Sequence, residues 1–389
     1  MKSMYFQEAT YFAERGYNTV AMDIRGTGAS GGTTDRMLRK REWKDGYDAI
    51  NWIADQEWCD GNTGIAGVSY GGFASNMVST LNPPSLKCSI PIYIGYDFYL
   101  NNYPGGILEV PMRIALYPNN MLTWNGAPPR IDKEGRWERI WKEHMDGNEH
   151  WAIPSLTNQL NEKIWAESSV RHHIKKIKVP TYIIGGWRDV FVTDPFDIYT
   201  GLNPDTPKKL LVGPWQHTPP HVGNPGPKID HLYESLRWMD YWMKDIDTGI
   251  MDEPPVTLFV GKYNKPEYMQ KKVDGYWRNE NEWPLERTTP TILYLDSENT
   301  FTVNNYQEHG YDTIVYDPTV GTTSMGVING IGFDEGLSID QRPDEAKSVI
   351  YTSEYFDKPV EITGIPHLEL HVSSSTKISM FVAKLSDVA

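Results

Sequence analysis

The sequence predicts an α/β domain followed by a smaller all-β domain. Helix-like and strand-like segments alternate over the first 250 residues, which is typical of a parallel sheet covered by helices. Beyond them, the apolar runs become short and strand-like and are separated by Gly, Pro, Asn and Asp. A length of 389 residues is enough for two domains. We therefore place a boundary near Ile250, with residues 1–250 as the α/β domain and residues 251–389 as a β sandwich or jelly roll.

The period of the apolar residues predicts the individual elements in chain order. Helical spacing predicts helices at residues 4–15, 42–58, 72–81, 194–202 and 228–250. Continuous apolar runs predict buried strands at residues 19–24, 63–68, 88–93, 179–185 and 210–212. In the second domain, strands are predicted at residues 256–260, 291–295, 313–316, 367–372 and 379–384.

A long insertion separates two of the predicted strands of the sheet. About 85 residues lie between the strands at 88–93 and 179–185, which is too long for an ordinary α/β connection. The insertion is rich in Trp, Tyr and Pro. We expect residues 97–175 to form a helical cap over the sheet.

Composition excludes several classes of partner. Lys and Arg number 37 against 51 Asp and Glu, a net charge of −14, so nucleic acids and anionic membranes are not expected to be bound. Cys59 and Cys88 cannot form a disulfide framework, and neither a signal peptide nor a membrane span is visible, so we expect a cytoplasmic protein. No metal or cofactor is expected, because no His, Cys, Asp or Glu cluster has ligand spacing.

Residues 67–71 form a G-x-S-x-G motif between a predicted strand and a predicted helix. In a tight strand-to-helix turn, this arrangement exposes the serine hydroxyl, and the flanking glycines avoid Cβ clashes. The motif makes Ser69 a candidate nucleophile and the backbone N–H of Tyr70 a candidate oxyanion donor. The motif alone also fits a glycine-rich turn with an ordinary surface serine.

A serine nucleophile needs a histidine base and an acid that orients the base. Asp189 follows the strand predicted at 179–185, and His217 follows the next strand, which gives the chain order Ser, Asp, His. His221 lies four residues further along in a Pro-rich loop and is a poorer candidate base. Asp194 and Asp197 compete with Asp189, but we expect the first to cap a helix and the second to lie within it.

Several linked motifs resemble the CocE/NonD family of serine hydrolases, which groups cocaine esterase, α-amino acid ester hydrolases and X-Pro dipeptidyl-peptidases. They are MDIRGTGASG at 22–31, GVSYGG at 67–72, GWRD at 186–189, GPWQH at 213–217, YWR at 276–278, EWP at 282–284, GIPHLEL at 364–370 and KLSDV at 384–388. The resemblance implies an α/β-hydrolase fold with a helical cap and a C-terminal jelly roll. It also implies a triad of Ser69, Asp189 and His217.

The sequence departs from the family at both ends. Family members begin before the segment that resembles residues 4–15, with strands that carry a Pro-Tyr pair whose hydroxyl is the second oxyanion donor, and they continue beyond the motif at 384–388. The sequence therefore resembles a family member shortened at both ends. Loss of one oxyanion donor costs about 100- to 1000-fold in rate, so weak activity is expected unless the missing part is supplied.

The resemblance also bears on the substrate. Family members that require a free α-ammonium group carry carboxylates directly after the catalytic aspartate, whereas Asp189 is followed by apolar residues, which favours an uncharged acyl group. Asp97 is a possible remnant of a cation-binding cluster, although a turn or cap residue is the simpler interpretation. Trp187, Phe191 and Trp215 are candidate pocket residues, although each also fits the core.

The predicted function is hydrolysis of a small-molecule acyl ester through an acyl-enzyme. Two alternatives stay open. One is amide or peptide cleavage of the X-Pro type. The other is a weakly active or non-catalytic protein that keeps the fold.

Overall fold

A six-stranded, mostly parallel sheet forms the centre of the protein. The computed structural model describes residues 2–116, 118–119, 122, 126–129, 132, 134–267, 270–296, 298–304, 310–322 and 339–388. The strands are β1 (Thr63–Val68), β2 (Leu86–Ile92), β3 (Thr181–Gly186), β4 (Lys208–Gly213), β5 (Val256–Gly261) and β6 (Gly275–Glu280). They follow one another in chain order across the sheet, with β1 to β5 parallel and β6 antiparallel to β5. The predicted α/β fold is confirmed.

Helices cover both faces of this sheet. The α-helices are α1 (Lys2–Ala13), α2 (Lys40–Ala54), α3 (Tyr70–Ser79), α4 (Phe98–Asn102), α5 (Trp137–Gly147), α6 (Ala152–Thr157), α7 (Lys163–Ser168), α8 (Asp194–Gly201), α9 (His231–Lys244) and α10 (Arg342–Glu345). Successive side chains of a strand point to opposite faces. Accordingly, Ile183 of β3 packs in a core with α2, α3 and α8, and Ile184 packs in a second core with α9 and Phe12 of α1. The sheet is therefore buried on both sides.

The insertion between β2 and β3 is largely helical where it is described. It contains α4 to α7, a π-helix at Pro111–Leu116 and short 3₁₀ helices at Pro104–Gly106, Val170–His172 and Ile174–Lys176. The ring of Phe98 in α4 lies 6.1 Å from that of Phe73 in α3 and 5.9 Å from that of Trp165 in α7. The cap is therefore joined to the domain through the helix that follows Ser69.

The strand predicted at residues 19–24 is wrong. This segment has no regular secondary structure, and Val20 and Met22 are about half exposed. A strand needs a neighbour for its backbone hydrogen bonds, and β1 is the end strand of the sheet over the described residues. The segment is held by local contacts instead, such as the bond from the Ala29 amide to the Asp23 carboxylate (2.9 Å).

The main sheet extends past the predicted domain boundary. The strand predicted at 256–260 is β5, but it pairs with β4 instead of belonging to a separate β sandwich, and β6 then pairs with β5. After β6, the described residues contain one further sheet, the antiparallel pair β7 (Tyr294–Leu295) and β8 (Phe301–Thr302). No strand forms at 313–316, 367–372 or 379–384, where strands were predicted. The division near Ile250 and the jelly roll stay predictions.

None of the described helices is both long enough and apolar enough to cross a lipid bilayer.

Candidate active site

Ser69 occupies a strained turn between β1 and α3. Its backbone has φ 58° and ψ −119°, a region that costs a non-glycine residue about 1–3 kcal/mol. The turn is held by hydrogen bonds from the Ser69 amide to the Ile92 carbonyl and from the Phe73 amide to the Ser69 carbonyl, each 2.9 Å long. A Cβ on Gly67 would lie 2.4 Å from the carbonyl carbon of Gly71, so the glycine is required. This is the geometry predicted from the motif.

Asp189 and His217 are hydrogen bonded at the carboxyl edge of the sheet. Asp189 follows β3 and His217 follows β4, and these strands end side by side, with Gly186 paired to Gly213. Asp189 Oδ2 and His217 Nδ1 are 2.5 Å apart, and Asp189 Oδ1 accepts the Phe191 amide proton at 2.7 Å. The Asp189 side chain is 1% exposed and that of His217 is 11% exposed. The aspartate is therefore fixed, and the histidine still reaches the surface.

The end of β2 brings Ser69 and His217 to the same place. Ser69 is hydrogen bonded to Ile92, the last residue of β2. The next residue, Tyr93, lies with its ring 5.5 Å from the His217 ring. The strand β2 lies between β1 and β3 in the sheet. Ser69, Asp189 and His217 follow β1, β3 and β4, so they are grouped around the carboxyl end of β2.

The competing aspartate Asp194 has a different role. It begins α8 instead of capping it, and its Oδ1 accepts hydrogen bonds from the Tyr96 amide (2.5 Å) and from Asn101 Nδ2 (3.3 Å). Burial raises the pKa of Asp194 to about 6. Asp194 thus ties the start of the cap to the domain.

Asp97 is engaged within the protein. Its carboxylate caps α4 by accepting the amide protons of Tyr99 (2.9 Å) and Leu100 (3.3 Å). It also pairs with Arg171 at 2.8 Å and is 3% exposed. The cap interpretation of Asp97 fits this geometry better than a cation-binding one.

Of the three candidate pocket aromatics, the structure brings Phe191 to His217. The two rings are 5.8 Å apart, and Phe191 also packs edge-on against Phe73 at 5.3 Å. Trp215 is fully buried in the core beneath, where its indole N–H donates to the Pro227 carbonyl (2.8 Å). A side chain without exposed surface cannot contact substrate, so Trp215 supports the fold.

Trp187 lies toward the β5 side of the sheet and is 37% exposed. Its indole N–H donates to the Phe259 carbonyl (2.7 Å), and its ring stacks on Phe196 at 5.3 Å. These contacts assign its ring to packing between β5 and α8.

A cleft that the sequence did not predict opens between the cap and the domain. It is small, with a cavity volume of about 20 Å³. It is lined by Arg36, Met37, Phe98, Asn102, Arg113, Pro118, Trp151, Pro154, Ser155, Ile164, Trp165 and Ser168. Trp151 stacks on Tyr70, the residue after Ser69, with 6.1 Å between ring centroids. The cleft therefore adjoins the candidate nucleophile through these two rings.

Glu42 is a second feature that sequence reasoning missed. Its carboxylate is buried against α3, where Oε2 accepts the hydroxyl proton of Tyr70 at 2.6 Å. The contact between the two helices is visible only in the structure, where Gly46, one helical turn after Glu42, packs so closely on Val78 of α3 that a Cβ would lie 2.5 Å from that side chain. An acidic residue on the face that meets another helix is unusual.

His221, the competing base, is paired with another histidine. Its Nδ1 lies 3.1 Å from Nδ1 of His231, and the two rings are stacked 4.8 Å apart. Burial and the neighbouring His221 lower the pKa of His231 to about 3. The pair is therefore neutral, with one ring donating to the other, and it fixes the loop after His217 onto α9.

This pair makes stability depend on pH. Between about pH 6.5 and 3, the unfolded chain binds a proton at His231 that the folded chain does not, so stability should fall as the pH falls, by up to about 1.4 kcal/mol per unit. We expect His231→Gln to reduce the loss of melting temperature between pH 7 and 5, measured by circular dichroism. The matched control is His172→Gln at an exposed position. Equal slopes for wild type and His231→Gln would contradict the prediction.

Among the described residues, no group of three or more His, Cys, Asp or Glu side chains is arranged to hold a metal ion.

Comparison with known protein families gives two matches that together span most of the chain. Residues 2–219 match the X-Pro dipeptidyl-peptidase (S15 family) model, and residues 248–389 match the X-Pro dipeptidyl-peptidase C-terminal non-catalytic domain. The cocaine esterase of Rhodococcus sp. (strain MB1 Bresler) is 26% identical over 97% of this chain and 71% of its own.

Solved structures show the same fold. A CocE/NonD family hydrolase from Staphylococcus aureus matches with a TM-score of 0.57 and 22% identity, over 72% of this chain and 45% of its own. An aminopeptidase from a marine sediment archaeon, Thaumarchaeota archaeon, matches with a TM-score of 0.55 and 18% identity, over 77% of this chain and 53% of its own. The chain thus spans about half the length of these two proteins.

Proposed function

Because the chain belongs to the X-Pro dipeptidyl-peptidase (S15) family, whose model matches more than half of it, we propose that it is a serine hydrolase that cleaves carboxylic esters through Ser69, His217 and Asp189. One observation carries this proposal. The buried Asp189 holds His217 at the sheet edge where Ser69 stands in its strained turn. A base oriented by an acid at the same sheet edge as a partly exposed serine is the arrangement that activates a serine hydroxyl.

The reaction follows from this arrangement. The Ser69 hydroxyl oxygen attacks the ester carbonyl carbon, and the His217 ring nitrogen opposite the Asp189 contact takes the hydroxyl proton. His217 then returns the proton to the departing alcohol, which leaves Ser69 acylated. A water molecule, activated by the same histidine, attacks the acyl carbon and restores the serine.

The Tyr70 amide is the proposed oxyanion donor. Tyr70 is the first residue of α3, so its N–H belongs to the first turn of the helix, whose N–H groups point away from the helix body. The positive end of the helix dipole also lies there. Both effects stabilise negative charge beside Ser69 as the carbonyl oxygen becomes an oxyanion.

The proposed substrate has an uncharged acyl group. Phe191, an apolar ring, lies beside His217. The nearby carboxylates, Asp97 and Asp194, are both buried and already bound by groups of the protein. A substrate ammonium group would have to compete with these internal contacts for either carboxylate and would lose its hydration.

The second candidate is release of X-Pro dipeptides. The family model is named for this activity. The same three residues would perform it, since amides and esters react through the same tetrahedral intermediate. It additionally requires a group that receives the amino terminus of the peptide.

A substrate panel separates the two functions. We compare the rates at which the full chain hydrolyses 4-nitrophenyl butyrate, the 4-nitrophenyl ester of alanine and Gly-Pro 4-nitroanilide. The Ser69→Ala variant gives the background rate for each substrate. We expect kcat/KM for the neutral ester to exceed that for the amino ester by at least about tenfold after correction for intrinsic reactivity. Preference for the Gly-Pro anilide would favour the peptidase, and equal rates with wild type and Ser69→Ala would contradict both.

A further inference from the structure

The Glu42 carboxylate is buried with one of its two oxygens unpaired. The residue is 9% exposed, its Oε2 accepts one hydrogen bond from Tyr70, and its Oε1 is buried with no hydrogen-bond partner. A carboxylate that leaves water without full hydrogen bonding destabilises the fold. Burial accordingly raises the pKa of Glu42 to about 7. The Arg39 backbone and the start of α2 favour this carboxylate, and the Tyr70 hydroxyl is the side chain that holds it against α3.

The Tyr70 side chain is held at three points. Its hydroxyl donates to Glu42 at 2.6 Å and accepts the Leu38 amide proton at 3.2 Å, and its ring stacks on Trp151. The first two contacts come from α2 and the segment before it, and the third comes from the cap. Tyr70 is thus fixed between three parts of the protein.

The same residue supplies the proposed oxyanion donor. The Tyr70 amide is one bond removed from Ser69, whose backbone is in a strained conformation. A strained segment persists only where the surroundings hold it. Because oxyanion stabilisation depends on donor position within a few tenths of an ångström, loosening the Tyr70 side chain would weaken it.

We infer that Glu42 is a positioning residue that, through the Tyr70 hydroxyl, holds the Tyr70 amide where the oxyanion forms. This inference rests on the proposed serine hydrolase function. Glu42 acts at a distance from the reacting atoms and exchanges no proton with substrate.

Other charged groups around Glu42 are satisfied elsewhere. Arg39, at the N-cap of α2, favours the carboxylate through its charge and its backbone, and Asp45 on α2 opposes it. Arg39 pairs with Asp35 at 2.8 Å, and Asp45 pairs with Arg25. From α3, the facing titratable group is Tyr70 itself. Tyr70 is therefore the residue that connects Glu42 to the candidate active site.

The test measures how fast a fluorophosphonate labels Ser69 in the full chain. In this reaction, a bond forms between the serine oxygen and phosphorus, the phosphorus–fluorine bond breaks, fluoride leaves, and the serine proton passes to His217. The phosphonyl oxygen occupies the oxyanion position, so the rate reports the donor as well as the nucleophile. Steady-state ester hydrolysis then separates kcat from KM.

We expect Glu42→Ala and Tyr70→Phe each to slow labelling and kcat by about tenfold or more, with KM within about threefold of wild type. The double variant should lose no more than Tyr70→Phe alone, because that change already removes the hydroxyl that Glu42 contacts, together with the acceptor of the Leu38 amide proton. Glu42→Gln keeps an acceptor for the Tyr70 hydroxyl and should recover most of the rate. Tyr70→Phe keeps the ring on Trp151, so it tests the contact even if Glu42→Ala does not fold.

The matched control is Tyr182→Phe, which removes another buried tyrosine hydroxyl facing a glutamate, Glu234, on the opposite side of the sheet. The fluorophosphonate should label Ser69 of this variant at the wild-type rate. Wild-type rates for both Tyr70→Phe and Glu42→Ala, with labelling still dependent on Ser69, would overturn this inference and leave the proposed function standing. Labelling that does not depend on Ser69 would overturn the proposed function and this inference with it.

Discussion

Replacing Ser69 with Ala is expected to lower turnover of an activated ester by about 10⁴- to 10⁶-fold. The variant keeps the base, the acid and the oxyanion donor, but it has no oxygen that can form the acyl-enzyme. Alanine adopts the backbone conformation of φ 58° at a cost similar to that for serine, because both residues carry a Cβ. The fold should therefore persist, as measured by thermal unfolding beside the hydrolysis assay.

The matched control for this change is Ser75→Ala. Ser75 lies on the same helix, α3, and its hydroxyl donates to the Gly71 carbonyl at 2.7 Å. Losing this bond should cost about 1 kcal/mol of unfolding free energy and leave kcat nearly unchanged. Wild-type hydrolysis by Ser69→Ala, or an equal loss in both variants, would contradict the role of Ser69.

The positions of the candidate triad could be predicted because parallel strands end at one edge of a sheet. Ser69, Asp189 and His217 each follow a strand whose apolar run is visible in the sequence. Once β1, β3 and β4 are recognised, the chain order fixes which edge carries these residues. The hydrogen bond between Asp189 and His217 agrees with that reasoning.

Strand partners could not be predicted in the same way. Residues 19–24 and 256–261 both have apolar runs, yet the first forms no strand and the second completes the main sheet. An apolar run records the tendency of a segment to be buried, and its pairing depends on which neighbour is available. The sequence pattern alone does not contain that neighbour.

The environments of individual side chains also could not be predicted from the sequence. Trp187 and Trp215 flank the predicted acid and base along the chain, but Trp215 is fully buried in the core, and Trp187 packs on Phe196 while staying partly exposed. Glu42 looked like an ordinary acidic residue in a helix first turn, which is favourable there by electrostatics alone. Its burial against Tyr70 follows from how α2 meets α3, and that contact is tertiary.

Replacing Asp189 with Asn is expected to lower kcat by about 10⁴-fold with little change in KM. The reason lies in the two partners of the carboxylate. The Phe191 amide donates to Oδ1, so the amide oxygen of asparagine would take that position and its NH₂ group would face His217 Nδ1. His217 would then accept a proton at Nδ1 and carry its own on the other nitrogen, which could no longer take the proton of Ser69.

Asp197→Asn on α8 is the control for that variant, since Asp197 is an alternative acid by sequence and the substitution is chemically the same. It should retain the wild-type kcat. The two proteins should be compared across pH 6 to 9, because a wrong histidine tautomer lowers kcat throughout this range. A kcat for Asp189→Asn within about tenfold of wild type, together with a large loss in Asp197→Asn, would transfer the role to Asp197. If neither variant lost activity, His217 would not depend on an aspartate for its orientation.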